Sequence, residues 1–512
     1  MNKKFKRIFA IGALVILSGS AIGCGGSDSS SGGGSSSGGS SGGGSTPAGA
    51  VTIDFWHTFG QSIIDELQPQ INEFVRLVKR NEGVDVRINL VPQSNYETIL
   101  DNISKGIPVG NIPTLAVAYP DHVADYLNLE STPGQYMVNL EEYANNSVYG
   151  LGKDAYLGDR EGDTLDSSSP NYDFIPAYIE GGRHFARSGM YTFPYMQSTE
   201  SMLYNYEAIV KVLNYYKPEF EGAKNKITEY MNNLDWEEFM NLCQQVQNYK
   251  HLINNDLVRP AFYDSDSNLF ISQLYQAGVN YSSVVNGSGK IDFATGEDRA
   301  KAEAIVGNLR KNANDGLLHT KGTFSTYGSN SFKNKECVFV VGSTGGSGYS
   351  LTTDFEIGVC KVPYVKDGEP LYVTQGPSLA IFKNPSLGDS VNSQRAIYAW
   401  KFIKFLTNTK NNVKMCLKGS EGYSPVRRSC YQDQLYLDFL DSVEVGDDQI
   451  KIDIANCVYF DINGKYFSTP CFVGSAYLRT QVGGIITEAL STNTSISSIF
   501  DIAIENATMK IK

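Results

Sequence analysis

Histidine is scarce: five residues in 512, at His57, His122, His184, His251 and His319. They stand far apart, with no HExxH or HxH spacing, so the imidazole clusters that hold catalytic zinc have no basis in this chain. Cysteine is nearly as sparse, at eight, and no CxxC pair occurs, which removes the usual zinc ribbon and redox motifs. No Walker A loop is present. The glycine-rich "GSTGGSG" at 342–348 lacks the lysine that would reach a phosphate chain. Basic residues are also in deficit, 43 against 55 acids for a net charge of −12, so the overall field disfavours nucleic acid and anionic lipid surfaces. Long apolar runs are missing after residue 23, which leaves no membrane-spanning stretch in the body.

The amino terminus is different in kind. Lys3, Lys4, Lys6 and Arg7 form a basic head, Ile8 to Gly23 an apolar run closed by small residues, and Cys24 follows directly. A short run with these flanks reads as a secretion signal over 1–23, not as a bilayer span. Small residues ahead of a cysteine, here "SAIGC", resemble the bacterial lipoprotein class. That resemblance implies cleavage before Cys24 and lipidation of its thiol. Residues 24–50 are almost wholly serine and glycine; they cannot repay the entropy of ordering, and form a flexible leash with a reach of roughly 25 to 30 Å. The expected location is outside the cytoplasm, held to the membrane by lipid.

Some 460 residues follow, more than one core usually supports, which predicts at least two lobes. "VTIDFW" has strand composition, the residues from Ser62 to Val78 recur at helical spacing, and "VDVRINLV" alternates. "NYETILDNISKGI" reads as helix and "PTLAVAY" as a buried strand. This order predicts a parallel sheet wrapped by helices, whose ligands sit beyond the carboxyl ends of the strands. After a Tyr- and Asp-rich region at 140–185 the alternation resumes. "SMLYNY", "CVFVVGS" and "FEIGVCKVPYV" are strands, Asp235 with Glu238 starts a helix, and "AIYAWKFIKFL" is another. The expected fold is α/β with two lobes. Seven cysteines remain after Cys24, an odd number, so at least one is free or pairs between molecules; Cys416 with Cys430 and Cys457 with Cys471 are the closest in sequence.

With these elements placed, six stretches resemble the extracellular solute-binding proteins of ATP-driven sugar importers, which include maltose- and glycerol-3-phosphate-binding proteins. They are "VTIDFWHTFG", "SNYETIL" before "GNIPTLAVAY", "FPYMQSTESMLYNYEAI", "LDWEEFMNLCQQV", "GPSLAIFK" before "AIYAWKFIKFLTN", and "GSEGYSPVRRS", in family order across 51–428. The resemblance implies a two-lobed, periplasmic-binding-protein-like (type II) fold with a hinge and an interlobe cleft, 51–195 and 355–395 in the N-terminal lobe and 196–354 and 396–512 in the C-terminal lobe. Coverage is weakest at 125–190, which looks like an insertion. The glycerol-3-phosphate-binding branch is the nearest in pattern. Its site, carried over, implies contacts from Tyr96, Ser198, Ser343, Gly376, Tyr423 and Arg479, with Trp56 near the cleft. Where that branch has a glutamate after the third strand, this chain has Pro120 and then Asp121.

The residue types suit such a ligand in their own right. An arginine fork matches phosphate or vicinal hydroxyls, serine hydroxyls donate and accept, and glycine lets backbone approach closely. Tyrosines, 31 of them, offer apolar faces to sugar rings and polar tips to hydroxyls, although most aromatics in any chain simply pack. His57 beside Trp56 reads as a histidine satisfied by nearby backbone, without a catalytic role. The expected function is that of a monomeric receptor, without cofactor or catalysis, that captures a sugar or glycerol phosphate and delivers it to a membrane permease. Two other classes compete: a surface glycoside hydrolase, which needs paired acids across a cleft, and an adhesin, which needs a flat apolar patch and no deep pocket.

Overall fold

The computed structural model describes residues 49–254, 256–419, 422–442, 447–459 and 465–512. The signal, Cys24 and most of the serine-glycine leash lie outside the described residues. Among the described residues no helix is long and apolar enough to cross a membrane.

The first five-stranded sheet runs in the order Val86–Pro92, Val51–His57, Leu115–Ala118, Ser378–Ile381, Phe193–Pro194. The first three strands are parallel, as the strand-helix alternation predicts, and the last two join antiparallel. Between the first two strands, the helix Gln61–Glu82 buries Leu67, Ile71, Phe74 and Val78 along one stripe. Gly60 is its N-cap and makes no side-chain cap bond, so Ser62 and Asp65 lie inside the helix instead of starting it. The second sheet runs Ile357–Cys360, Glu200–Asn205, Phe339–Ser343, Ala261–Tyr263, Leu318–Thr320. It is covered on both faces. Met202, Tyr204, Phe339, Val341 and Cys360 enter one apolar cluster, while Leu203, Phe262, Val340 and Val359 enter another that continues into the core of the first sheet. Period-two alternation explains the split. Asp235 caps Trp236–Asn248 through a full capping box with Glu238.

The division of the chain between the halves differs from the expected boundaries. Ile357–Cys360 pairs in the second sheet, although 355–395 was assigned to the first lobe. Asp389–Leu406, which begins inside that segment and runs into the one assigned to the second lobe, buries Ala399, Phe402 and Ile403 in the core around the first sheet. Its apolar periodicity identified a helix, but periodicity carries no information about which sheet a helix covers. The seven cysteines after Cys24 are all free thiols, so neither sequence-adjacent pair is bridged. Cys337 and Cys360 are buried in the apolar interior.

The Asp-rich region at 140–185 is ordered by buried charge. Lys404, with no exposed surface, donates from Nζ to Gly150 O at 2.8 Å and to Asp154 Oδ2 and Asp159 Oδ2 at 2.6 Å each. Those three bonds use every proton it has. Lys401 joins Asp154 to Glu82, and Glu82 also accepts from the Tyr398 hydroxyl. Arg427 donates to Thr407 O and Asp163 Oδ2 and lies 4.1 Å from the centre of the Phe174 ring. This region is thus fastened to the helix Asp389–Leu406 by Lys401 and Lys404. Removing one member of such a set strands the others in a low-dielectric interior. Lys404→Met should cost about 3–5 kcal/mol, read as a lowered urea midpoint, and an unchanged midpoint would show that the carboxylates find other partners.

Candidate functional site

The chain passes between the sheets at 195–199 and again at 361–377, because the strands on either side of each segment belong to different sheets. The two crossings pair with each other: Ser198 N donates to Gln375 O at 2.7 Å and Gln375 N to Ser198 O at 2.9 Å. Gln197 pairs likewise with Ser424, at 2.6 and 3.1 Å. Beside these crossings lies a cavity of about 980 Å³, walled by both lobes.

On the first lobe, strand Leu115–Ala118 ends at Tyr119, and helix Pro120–Asn128 starts there with Asp121 in its first turn. Tyr119 and Asp121 line the cavity, at the carboxyl end of a parallel strand as the general rule for such sheets requires. The Tyr96 ring stacks on Tyr119, with centroids 3.9 Å apart and planes at 17°. Burial pushes the Tyr119 phenol well above its ordinary range, so it stays a neutral donor.

On the second lobe, Glu200 is 4% exposed at the start of its strand. It accepts from the Tyr263 hydroxyl at 2.6 Å and from Asn268 Nδ2 at 2.9 Å. Burial raises its carboxyl to about 7 against the opposing effect of those bonds and of Arg479. Asp264, also in the wall, is raised to about 6 for the same reason. Arg479, on helix Ser475–Ser491, donates through Nη2 to Asn268 Oδ1. That is its single protein hydrogen bond among the described residues, which leaves most of its guanidinium protons for whatever enters the cavity.

The residues chosen from sequence fall into three groups. Asp121, Ser343, Gly376 and Arg479 line the cavity. Gly376 has φ +117°, and a Cβ there would lie 2.6 Å from Met196 O, so the crossing requires glycine. Three others stand directly behind the wall. Ser198 is buried and accepts a hydrogen bond from Ser343 Oγ at 3.3 Å, Tyr96 backs Tyr119, and the Tyr423 ring covers Gly345, where a Cβ would approach Tyr423 Cε1 to 2.5 Å. Trp56 is elsewhere. Alternation along its strand sends Phe55 and His57 into the interior and Trp56 to the opposite face, in a separate hollow of about 340 Å³ with Gln93, Asn102 and Lys105. His57 Nδ1 accepts from Phe59 N at 3.1 Å, the backbone satisfaction expected of it.

Sequence reasoning missed Tyr119, Glu200, Asn268 and Gln375. The strand-end position of Tyr119 and the acid opening the apolar strand at Glu200 were readable signals. Asn268 and Gln375 had none, because their role arises from contacts between distant segments.

The sequence profile of the family described as bacterial extracellular solute-binding protein matches residues 77–438. No curated protein sequence matches the chain. Among solved structures, the cyclic alpha-maltosyl-1,6-maltose binding protein from Arthrobacter globiformis is similar, with TM-score 0.63 and 15% identity over 90% of this chain and 99% of that one. UgpB from Mycobacterium tuberculosis in complex with glycerophosphocholine gives 0.62 and 16% identity over 90% and 98%. The sugar-binding protein MalE from Xanthomonas citri gives 0.63 and 13% over 90% and 97%. At these identities the likeness is one of fold, the two-lobed α/β architecture.

The raised carboxyl of Glu200 has a definite sign. Between the ordinary value of 4.5 and about 7 the folded chain keeps a proton that the unfolded chain has released. Stability from this group is therefore greatest below pH 4.5, declines as pH rises to about 7, and is level above. Unfolding midpoints in urea from pH 5 to 8 should show this decline in the parent relative to Glu200→Gln, and parallel profiles would place the Glu200 titration elsewhere.

Proposed function

The chain belongs to the bacterial extracellular solute-binding proteins, and on that premise we propose that its cavity captures a polyhydroxylated solute, a carbohydrate or a glycerol phosphate. The solute is then passed to the permease of an ATP-driven importer. The observation that carries this reading is the wall itself: Arg479 held by one bond with its other donors free, facing a lobe that presents Tyr119 and Asp121. An arginine fork accepts a phosphate or a pair of vicinal hydroxyls. Asp121 accepts from hydroxyls, the stacked tyrosines give a ring a flat apolar support, and Ser343 and the backbone at Gly376 add short-range polar contacts. A deep cavity between lobes is what an adhesin would lack.

Capture works by closure. The lobes rotate about the segments that join them, 195–199 and 361–377 among them, and a solute touching both walls favours the shut form by its differential affinity. Cys24 carries lipid in this reading, and the leash lets the receptor leave the permease, sample solute and return. Several methylene-rich chains on one residue hold it to the surface.

Three experiments test the reading. A thermal-shift screen of sugars, polyols and their phosphates should find a compound that adds about 2.7 kcal/mol of stability at a hundred times its dissociation constant, and a screen with no hit sinks the proposal. Arg479→Lys should weaken that compound at least tenfold while the empty protein melts as before; equal affinity would take Arg479 out of the site. For the anchor, Cys24→Ser should abolish labelling by radioactive fatty acid and release the protein from membranes, and retained labelling would move the lipid elsewhere.

A further inference from the structure

Asn268 sits at a junction of three groups. Its helix, Asp266–Gln276, starts at Ser265, whose hydroxyl accepts from Asn268 N at 3.2 Å and so fixes the backbone. The side chain is 2% exposed. Its Nδ2 donates to Glu200 Oε1 at 2.9 Å and to Gln375 Oε1 at 3.1 Å, while its Oδ1 accepts from Arg479 Nη2. Both amide protons are used and the oxygen accepts once, so the orientation of the amide is set by its surroundings. An ionised carboxylate only accepts, so Glu200 obliges the nitrogen to face it; the oxygen must then face Arg479. Gln375, in turn, donates to Thr199 O at 3.2 Å, so the junction ends on both interlobe crossings.

We infer that Glu200, acting through Asn268, is a positioning residue for Arg479: it holds the guanidinium where the solute meets it and ties that contact to the crossing at Gln375. The solute-facing half of this inference rests on the reading of the cavity given above, whereas the relay from Glu200 to Arg479 does not. A Glu200 protonated on Oε1 no longer accepts from Asn268 Nδ2, which removes one of the two bonds that anchor the amide nitrogen and so loosens the hold on Arg479. The charged and titratable groups facing Glu200 are Tyr263 and Asp264 from the Ala261–Tyr263 strand and the turn after it, and Arg479 from the last but one helix. Its raised carboxyl, about 7, puts this release near neutral pH.

The test begins without solute. In full-length protein labelled with ¹⁵N-arginine, the Arg479 Nε–H resonance, identified by its loss in Arg479→Lys, should shift with a midpoint near pH 7. The shift should vanish in Glu200→Gln and fall at least threefold in Asn268→Ala, with Asn268→Ser as a second variant should the first fail to fold. A full shift in both Asn268 variants would mean that Glu200 acts directly through space, and no shift in the parent would mean that it does not act on Arg479; either overturns the relay. With the best compound from the screen, Glu200→Gln should weaken binding about tenfold at pH 8 in the parent background and less than twofold in Asn268→Ala. Additive losses would refute the coupling. A screen without hits would count against the solute reading alone, since the resonance experiment decides the relay by itself.

Discussion

Everything in the molecule depends on the pairing of two chain crossings. Ser198 and Gln375 exchange backbone hydrogen bonds where the polypeptide leaves one sheet for the other, and Gln197 and Ser424 extend the same ladder. Buried backbone groups must be satisfied, and here they are satisfied by each other, so the crossings form a narrow ribbon with its own integrity. It borders the cavity and brings Gly376 and Ser198 beside groups more than a hundred residues away in sequence.

The second theme is the use of scarce positive charge. In a chain with net charge −12, lysine and arginine have acids to pair with almost anywhere, and Lys401, Lys404 and Arg427 are consumed in the interior by Asp154, Asp159, Asp163 and Asp173. Arg479 stands apart. Its partner is a neutral amide, and its nearby carboxylate, Glu200, is held at one remove by that amide. A direct ion pair would occupy the fork that a solute needs. Placing asparagine between the two charges keeps the guanidinium oriented and still available.

How far the sequence carried depends on the kind of interaction. The strands at 51–57, 115–118 and 200–205 were readable because alternation and β-branched content are local properties. Arg479, Ser343 and Gly376 came from family pattern and Asp121 from a departure from it, and all four lie in the cavity wall. Trp56 did not, since family pattern placed it by neighbourhood while the pleat of its strand decides its direction. Asn268 was invisible, as its function is the sum of three contacts drawn from positions 200, 375 and 479. The lobe assignment of 389–406 failed for a related reason: an amphipathic helix advertises that it covers something, not what. Nothing local in the Asp-rich region announces the buried lysines that lie opposite its aspartates.

The free thiols carry a consequence for biogenesis. Every cysteine of the folded body is unbridged, and all but Cys457 are buried. Maturation of the two lobes therefore waits on no oxidant or isomerase, and the same native packing is reachable in a reducing cytosol as at an oxidising cell surface. Redox chemistry plays no part in closing the cores of the described residues.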